Sequence, residues 1–419
     1  MKKIWVITAA WMLVWGNSLH ADEAHDQSLS LKERVAIASR IYADIQIYFG
    51  HWQGIPDFDL GAEYGNYLDK VLATNSRRAF DLASMEFMAK LQNSHSGFVD
   101  HWLQQTYGQQ LNFYAYPIDG QWVVTRSDVP DLKVGDVISA LDGEPFASFY
   151  QNQRKYISAS DEQWRQRSFF EYPYLFPESF QLTLNDGRRV TVHRKGPFRF
   201  AGTEYTKIDM SDREGIPVIR VPSFDLAKLE ADAVGALKQA GTAKAIFIDV
   251  RDNHGGSTPQ QLMAALMDRP YRWWSESTPA HIGSFQLENS PGTHTELHWF
   301  GGVEQPSGTP YKGVLFLLTN GGCFSACEDF VVSFKDNHRA TIIGERTAGS
   351  SGQPYSHRFE NGMGFGLSTK REFMPDGSPF EGVGIAPDIE MQVHAADLAS
   401  GRDPVLEKAL SLAKSASSQ

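Results

Sequence analysis

GVLFLLTNGGCFSACEDFVVSFKDNHRATIIGER, residues 313–346, decides how this chain is built. The apolar run from Val314 to Leu318 is too short for a helix and reads as a buried strand. Gly321 and Gly322 let the chain reverse, and a helix with apolar residues at three and four spacing begins near Ser325. ATIIGER then reads as a second buried strand. A strand, a tight turn, a helix and a strand make one step of an α/β layer structure.

The same pattern extends outward. IPVIRVPSF and AKAIFIDVR read as further buried strands, and TPQQLMAALMD as a helix between AKAIFIDVR and GVLFLLTN. Thr258-Pro259-Gln260-Gln261 has the form of a capping box with proline at the first helical position. Gly255 and Gly256, in the turn DVRDNHGG, stand where bare backbone N–H groups can face a ligand. His254 beside them is read as incidental.

Further toward the N-terminus the texture changes. From about residue 108 to 197 short alternating stretches such as QWVVTRS predict a mostly β region, with a hairpin at Asp186-Gly187. The aromatic-rich SFFEYPYLFPESF reads as packing. From about residue 22 to 107, LKERVAIASRIYADIQIYF and RRAFDLASMEFMAKL carry apolar residues at helical spacing and predict an amphipathic helical cap. Residues 1–21 have two lysines, an apolar run and a closing Ala21, the layout of a secretory signal peptide. The expected protein is therefore exported, periplasmic or secreted, with no integral membrane segment after the leader is removed.

Composition narrows the function. Without Lys2 and Lys3 the formal charge goes from -11 to -13, and no basic run tracks a phosphate backbone, which argues against nucleic acid. No His-Glu-x-x-His, no cysteine–histidine ligand spacing and no phosphate-cradling glycine loop occurs, so neither a metal nor another cofactor is expected.

Ser325 has two readings on its own residues. Its hydroxyl stands at the positive end of a helix dipole, with the N–H of Ala326 aimed where an oxyanion would form. A serine there is equally an ordinary N-cap. Cys323 and Cys327, four apart, are either buried thiols or a bridge that needs a distorted helix. Their spacing is not the C-x-x-C of thiol oxidoreductases, which ranks a redox function last.

Taken together, residues 308–352, preceded by IFIDVRDNHGG and followed by EGVGIAPDIEM, resemble the C-terminal processing (tail-specific) peptidase family and its tricorn-like branch. LQNSHSGF also has a counterpart there, and LKVGDVISALDGEPF resembles half of a PDZ domain. The resemblance implies an α/β catalytic core with crotonase-like ββα layers over residues 198–419, a PDZ-like mainly β domain over 108–197, and an N-terminal helical region over 22–107. It implies a serine-type endopeptidase acting on peptides or unfolded proteins, with the PDZ-like part binding or gating them through the C-terminus.

The base distinguishes the branches. Bacterial tail-specific members use a lysine in a Gly-Lys-Gly turn; here that turn reads GERTAGSSGQ, with Ser350 in the lysine's place and no lysine between Lys335 and Lys370. Tricorn-like members use a histidine preceded by a serine and assisted by a glutamate. Ser94, His95 and Glu381 match those positions. The expected chemistry is attack by Ser325, deprotonation by His95, and oxyanion binding by Ala326 with Gly255 or Gly256. The alternative is a catalytically inactive secreted binding protein of the same fold, as in the interphotoreceptor retinoid-binding branch, holding peptides or apolar ligands.

Overall fold

The computed structural model describes residues 27–199, 205–281, 295–299, 301–306 and 308–417; the expected signal peptide, 1–21, lies outside the described residues. Three helices open the described chain: α1 (Leu31–Tyr48), α2 (Leu60–Ala73) and α3 (Arg77–Ala89). Each starts on a side-chain cap, Ser30, Asp59 and Ser76, and Ser30 forms a full capping box with Glu33. Strand β1 (Gly97–Asp100) and helix α4 (His101–Tyr107) follow. This region is more than a helical cap, because β1 pairs antiparallel with a strand near the other end of the chain, Phe98 opposite Phe365. The buried Arg77 fixes that junction with bonds of 2.6 and 2.8 Å to Asp100 and 2.7 Å to the Asn361 carbonyl.

The middle stretch holds β2 (Phe113–Ile118), β3 (Gln121–Ser127), β4 (Val137–Leu141), β5 (Glu144–Pro145), α5 (Phe146–Gln153), α6 (Glu162–Ser168), β6 (Ser179–Leu184) and β7 (Arg189–His193). Its sheet runs β2-β3-β4-β6-β7, with β5 on β4 and all pairs antiparallel. Gly187, at φ 85°, makes the expected hairpin turn between β6 and β7. Phe169, Phe170, Tyr174, Phe176 and Phe180 are buried, so the aromatic-rich stretch packs as expected. They belong to the same apolar core as Ile41, Phe80 and Phe365, which joins the helical region to this sheet.

The remainder is mixed α/β: β8 (Asp209–Arg213), β9 (Ile216–Arg220), α7 (Ala227–Ala240), β10 (Ala245–Asp249), α8 (Gln260–Leu266), β11 (Tyr271–Arg272), β12 (Ser275–Ala280), β13 (Thr295–Trp299), β14 (Val303–Glu304), β15 (Val314–Thr319), α9 (Ala326–Asp336), β16 (Thr341–Gly344), β17 (Pro354–Arg358), β18 (Met363–Ser368), β19 (Arg371–Phe373), β20 (Ile389–Glu390), α10 (Ala395–Ser400) and α11 (Pro404–Ser417). The central sheet is ordered β20-β16-β15-β10-β9-β8 and is parallel from β20 to β9. All of β10 and nearly all of β15 are buried, as strands covered on both faces must be. Helices α7, α8 and α9 cover one face and α11 the other. The turns after β10 and β15 leave the same end of this sheet, and β18, in the small sheet β1-β18-β17, brings the N-terminal loop toward them.

One local expectation fails. Helix α8 begins at Gln260 behind Pro259 with no side-chain cap, and no capping box forms. The Thr258 hydroxyl points instead to the Asp329 carboxylate and donates to it at 2.6 Å, a charge-assisted bond.

Candidate active site

Ser325 lies in the turn between β15 and α9 with φ 58° and ψ −123°, a conformation that glycine favours and that costs another residue about 1–3 kcal/mol. It makes no side-chain cap bond, so the N-cap reading does not hold. Its hydroxyl is aimed elsewhere, 3.0 Å from Nε2 of His95. His95 comes from the loop before β1, held by Asn93, whose Oδ1 accepts from the His95 backbone N–H and the Ser96 hydroxyl at 3.0 and 2.9 Å. The antiparallel pairing of β1 with β18 is what carries this loop across the molecule.

The other ring nitrogen of His95 is 3.0 Å from Ser350 Oγ, and Ser350 donates to Glu381 Oε1 at 2.8 Å. A hydroxyl has one proton, so Ser350 accepts from Nδ1–H, which leaves Nε2 bare to accept the Ser325 proton. Ser94 does not take this orienting position. Its hydroxyl meets Ser160, 3.1 Å away, and accepts the Ser160 N–H at 2.9 Å. Ser160 in turn donates to Glu381 at 2.5 Å, as does Asn93 at 2.9 Å. Ser94 is thus two bonds removed from Glu381 and four from the imidazole. Three donors converge on one Glu381 oxygen, while Oε2 is buried without a partner.

Electrostatics follow from burial. Burial, and then the Lys370 ammonium, bring the His95 pKa down to about 4. Burial pushes the Glu381 carboxyl up to about 8, against the hydrogen bonds of Ser160 and Ser350. The imidazole is stacked on Phe324, centroids 4.6 Å apart, and Phe324 is stacked on Trp164 of α6 at 4.2 Å. This sandwich fixes the ring plane and keeps water from one of its faces.

Gly255 and Gly256 divide the work expected of either. Gly255, at φ 86°, lies so near the nucleophile that a Cβ would fall 2.6 Å from the Phe324 carbonyl and 2.8 Å from Ser325 Cβ. Its N–H is already bonded to Asn253 Oδ1 at 2.9 Å, so Gly255 is corrected from an oxyanion donor to a close-approach position. Gly256 is half-buried, and among the described residues its N–H and that of Ala326 have no hydrogen-bond acceptor. His254 is 3.5 Å from Glu171 and stands edge-on to Trp164.

Contributors not read from sequence as site residues include Ser350, Phe324, Ser160, Asn93, Trp164 and Glu328. Glu328, fully buried in the first turn of α9, accepts from Thr347 Oγ1, Gly349 N–H and Ser350 N–H at 2.6, 2.7 and 2.9 Å. It builds the turn that presents Ser350, and burial raises its own pKa well above the carboxylate range. A buried-helix acid directly after a glycine turn was the available signal. Cys323 and Cys327 are bridged, with Cα atoms 5.4 Å apart. The geometry is met because α9 starts only at Ala326, which leaves Cys323 in the turn. Among the described residues no cluster of His, Cys, Asp and Glu is arranged to hold a metal ion.

Comparison with known proteins agrees with this fold. Residues 215–391 match peptidase family S41. A carboxyl-terminal-processing protease of Synechocystis sp. is 27% identical over 209 residues, 49% of this chain and 45% of that protein, so the chain spans less than half of this relative's length. The crystal structure of mature CPAF superposes with a TM-score of 0.68 at 16% identity, covering 88% of this chain and 94% of that one. The photosystem II D1 C-terminal processing protease gives 0.53 at 17% identity, covering 87% and 94%. At such identities the two structures speak for the fold. The sequence match to the peptidase family S41 model spans β9 to β20 and includes both turns that meet at Ser325.

Proposed function

We propose that this chain is an exported serine peptidase that cleaves peptide bonds through an acyl-enzyme on Ser325. The observation that carries the reading is the continuous contact from Ser325 Oγ through both nitrogens of His95 to Ser350 and Glu381, with steps of 3.0, 3.0 and 2.8 Å. His95, neutral above about pH 4, takes the Ser325 proton as the hydroxyl attacks a carbonyl. The imidazolium that forms keeps its Nδ1–H on Ser350, and Glu381 supports Ser350 from behind. The N–H groups of Ala326 and Gly256 bind the tetrahedral oxyanion, at the positive end of α9. His95 then protonates the leaving amine, and water releases the acyl group by the same route.

Ser94 acts in this reading as a prop for Ser160 and so for Glu381. Ser350 takes the orienting role, in the place where relatives with a Ser/Lys pair carry lysine. The finer architecture is part of the same proposal: a helical region over 22–107, a PDZ-like domain over 108–197 that binds or gates peptide C-termini, and a crotonase-like core over 198–419. So is export through residues 1–21.

The test is labelling by a fluorophosphonate probe, with the modified peptide mapped by mass spectrometry. Wild-type protein is expected to be tagged on Ser325, and Ser325→Ala and His95→Ala to stay blank. A folded wild-type protein that takes no label would overturn the peptidase reading in favour of a binding protein with the same fold.

A further inference from the structure

The Cys323–Cys327 bridge encloses the nucleophile, and the peptidase mechanism above assigns it no task. A cross-link between residues separated by four positions closes a very short loop, so it removes less freedom from the unfolded chain than a long-range bridge would. Its placement calls for a local explanation.

The local geometry supplies one. Four residues of regular α-helix advance about 6 Å along the axis, whereas the two bridged Cα atoms are 5.4 Å apart. The bridge spans the point where the helix stops: α9 starts only at Ala326, and residues 323–325 lie outside it. Were α9 to extend, Ser325 would take ordinary helical angles in place of φ 58°, and the Ala326 N–H would be spent on a carbonyl of the preceding turn. The bridged conformation instead ties each of the three residues outward. The Cys323 carbonyl accepts from Ala348 at 3.0 Å, the Phe324 N–H donates to Asn253 at 3.0 Å, and the Ser325 N–H donates to Ser350 at 3.1 Å. Phe324 is thereby held flat against His95.

We propose that the Cys323–Cys327 bridge is a positioning device that holds Ser325 in its attacking conformation, so that oxidation of this pair switches the serine on. Forming the bond removes two protons and two electrons from the thiols, which pass to a disulfide-class oxidant; a dithiol reductant reverses the step. Both sulfurs lie in fully buried residues, so the state set while the chain folds persists afterward. In a reducing compartment the peptidase would be folded and silent, and it would become competent only where disulfides form.

The inference rests on the peptidase reading, and one experiment separates the two. Fluorophosphonate labelling is followed against probe concentration for oxidised wild-type protein, for Cys323→Ala/Cys327→Ala, and for wild-type protein refolded with a phosphine reductant. The maximal labelling rate is expected to fall about 10²-fold in the last two, as a displaced reacting group would cause, with half-saturating probe concentration unchanged. The melting temperature should stay within about 5 °C, and refolding with oxidised glutathione in place of the reductant should restore the wild-type protein but not the double variant. Equal labelling with and without the bridge overturns this inference alone. Loss of label together with loss of the fold overturns it too, because the bridge would then be a general staple. Silence of the oxidised wild-type protein overturns the peptidase reading and this inference with it.

Discussion

At the scale of single residues, the chemistry depends on where two protons sit. Ser350 fixes the His95 tautomer, so Ser350→Ala should lower the maximal labelling rate about 10- to 100-fold, a cost of about 1.4–2.8 kcal/mol in the barrier. Half-saturating probe concentration should not move, because Ser350 touches no substrate; a change confined to that concentration would argue against the role. The second proton is on Glu381, whose pKa is pushed up to about 8 by burial. Below that pH the group is neutral and supports an imidazolium weakly; above it the carboxylate does so strongly. The labelling rate is therefore expected to rise as pH passes about 4, where His95 becomes a base, and again near 8. Glu381→Gln should abolish the upper step and leave the rate flat through pH 8, as a rate profile from pH 5 to 9 would reveal.

At the scale of elements, the site is the meeting of two strand-to-helix turns and one loop. The turn after β10 presses Gly255 against the turn after β15, leaving no room for a methyl group between Gly255 and Phe324. Gly255→Ala should push the two turns apart and lower labelling by about 10²-fold, while the melting temperature falls only a few degrees. Unchanged labelling would mean that the turns tolerate separation. Helix α9 contributes more than its N-terminus. Its first-turn acids brace the surroundings, Glu328 on the loop of Ser350 and Asp329 on Trp274, Thr258 and Ser351. Those bonds leave the region behind the nucleophile rigid without adding any group to the reacting side.

At the scale of the whole molecule, several titratable groups are buried against their preference, and their signs oppose. His51 is held down at about 3 and His95 at about 4, both by burial, against 6.5 when unfolded. Their contribution to stability is complete above pH 6.5 and is lost as pH falls toward those values, because the unfolded chain takes up protons first. Glu372 and Glu381, raised to about 7 and 8 from 4.5, act the other way. They favour the fold below pH 4.5 and cost stability as pH rises through the folded values. His51→Gln should therefore spare about 2 kcal/mol of the loss between pH 7 and pH 5. Glu372→Gln should soften the decline on the alkaline side. Melting curves from pH 4 to 9 check both, and parallel profiles for all three proteins would refute the assignment.

The sequence by itself marked the core strands β9, β10, β15 and β16, the helices α1, α3, α8 and α9 and the two glycine turns, because apolar periodicity and glycine placement are local properties. The hairpin at Gly187, the buried β10 and β15 and the helix after Ser325 were all legible in this way. Likewise Ser325, His95 and Glu381 were picked out by motif, and the fold sets them in one contact chain. What only the tertiary structure decided is which hydroxyl meets the imidazole. Ser94 adjoins His95 in sequence, yet Ser350, 255 positions away, holds its Nδ1. Backbone direction in the loop before β1 turns Ser94 to Ser160, and the carboxylate of Glu328 shapes the turn that delivers Ser350. The bridge was equally undecidable from spacing, since it depends on α9 starting at Ala326 and not earlier. Contacts of this kind are set by how separate segments pack, and no short-range pattern in the chain records them.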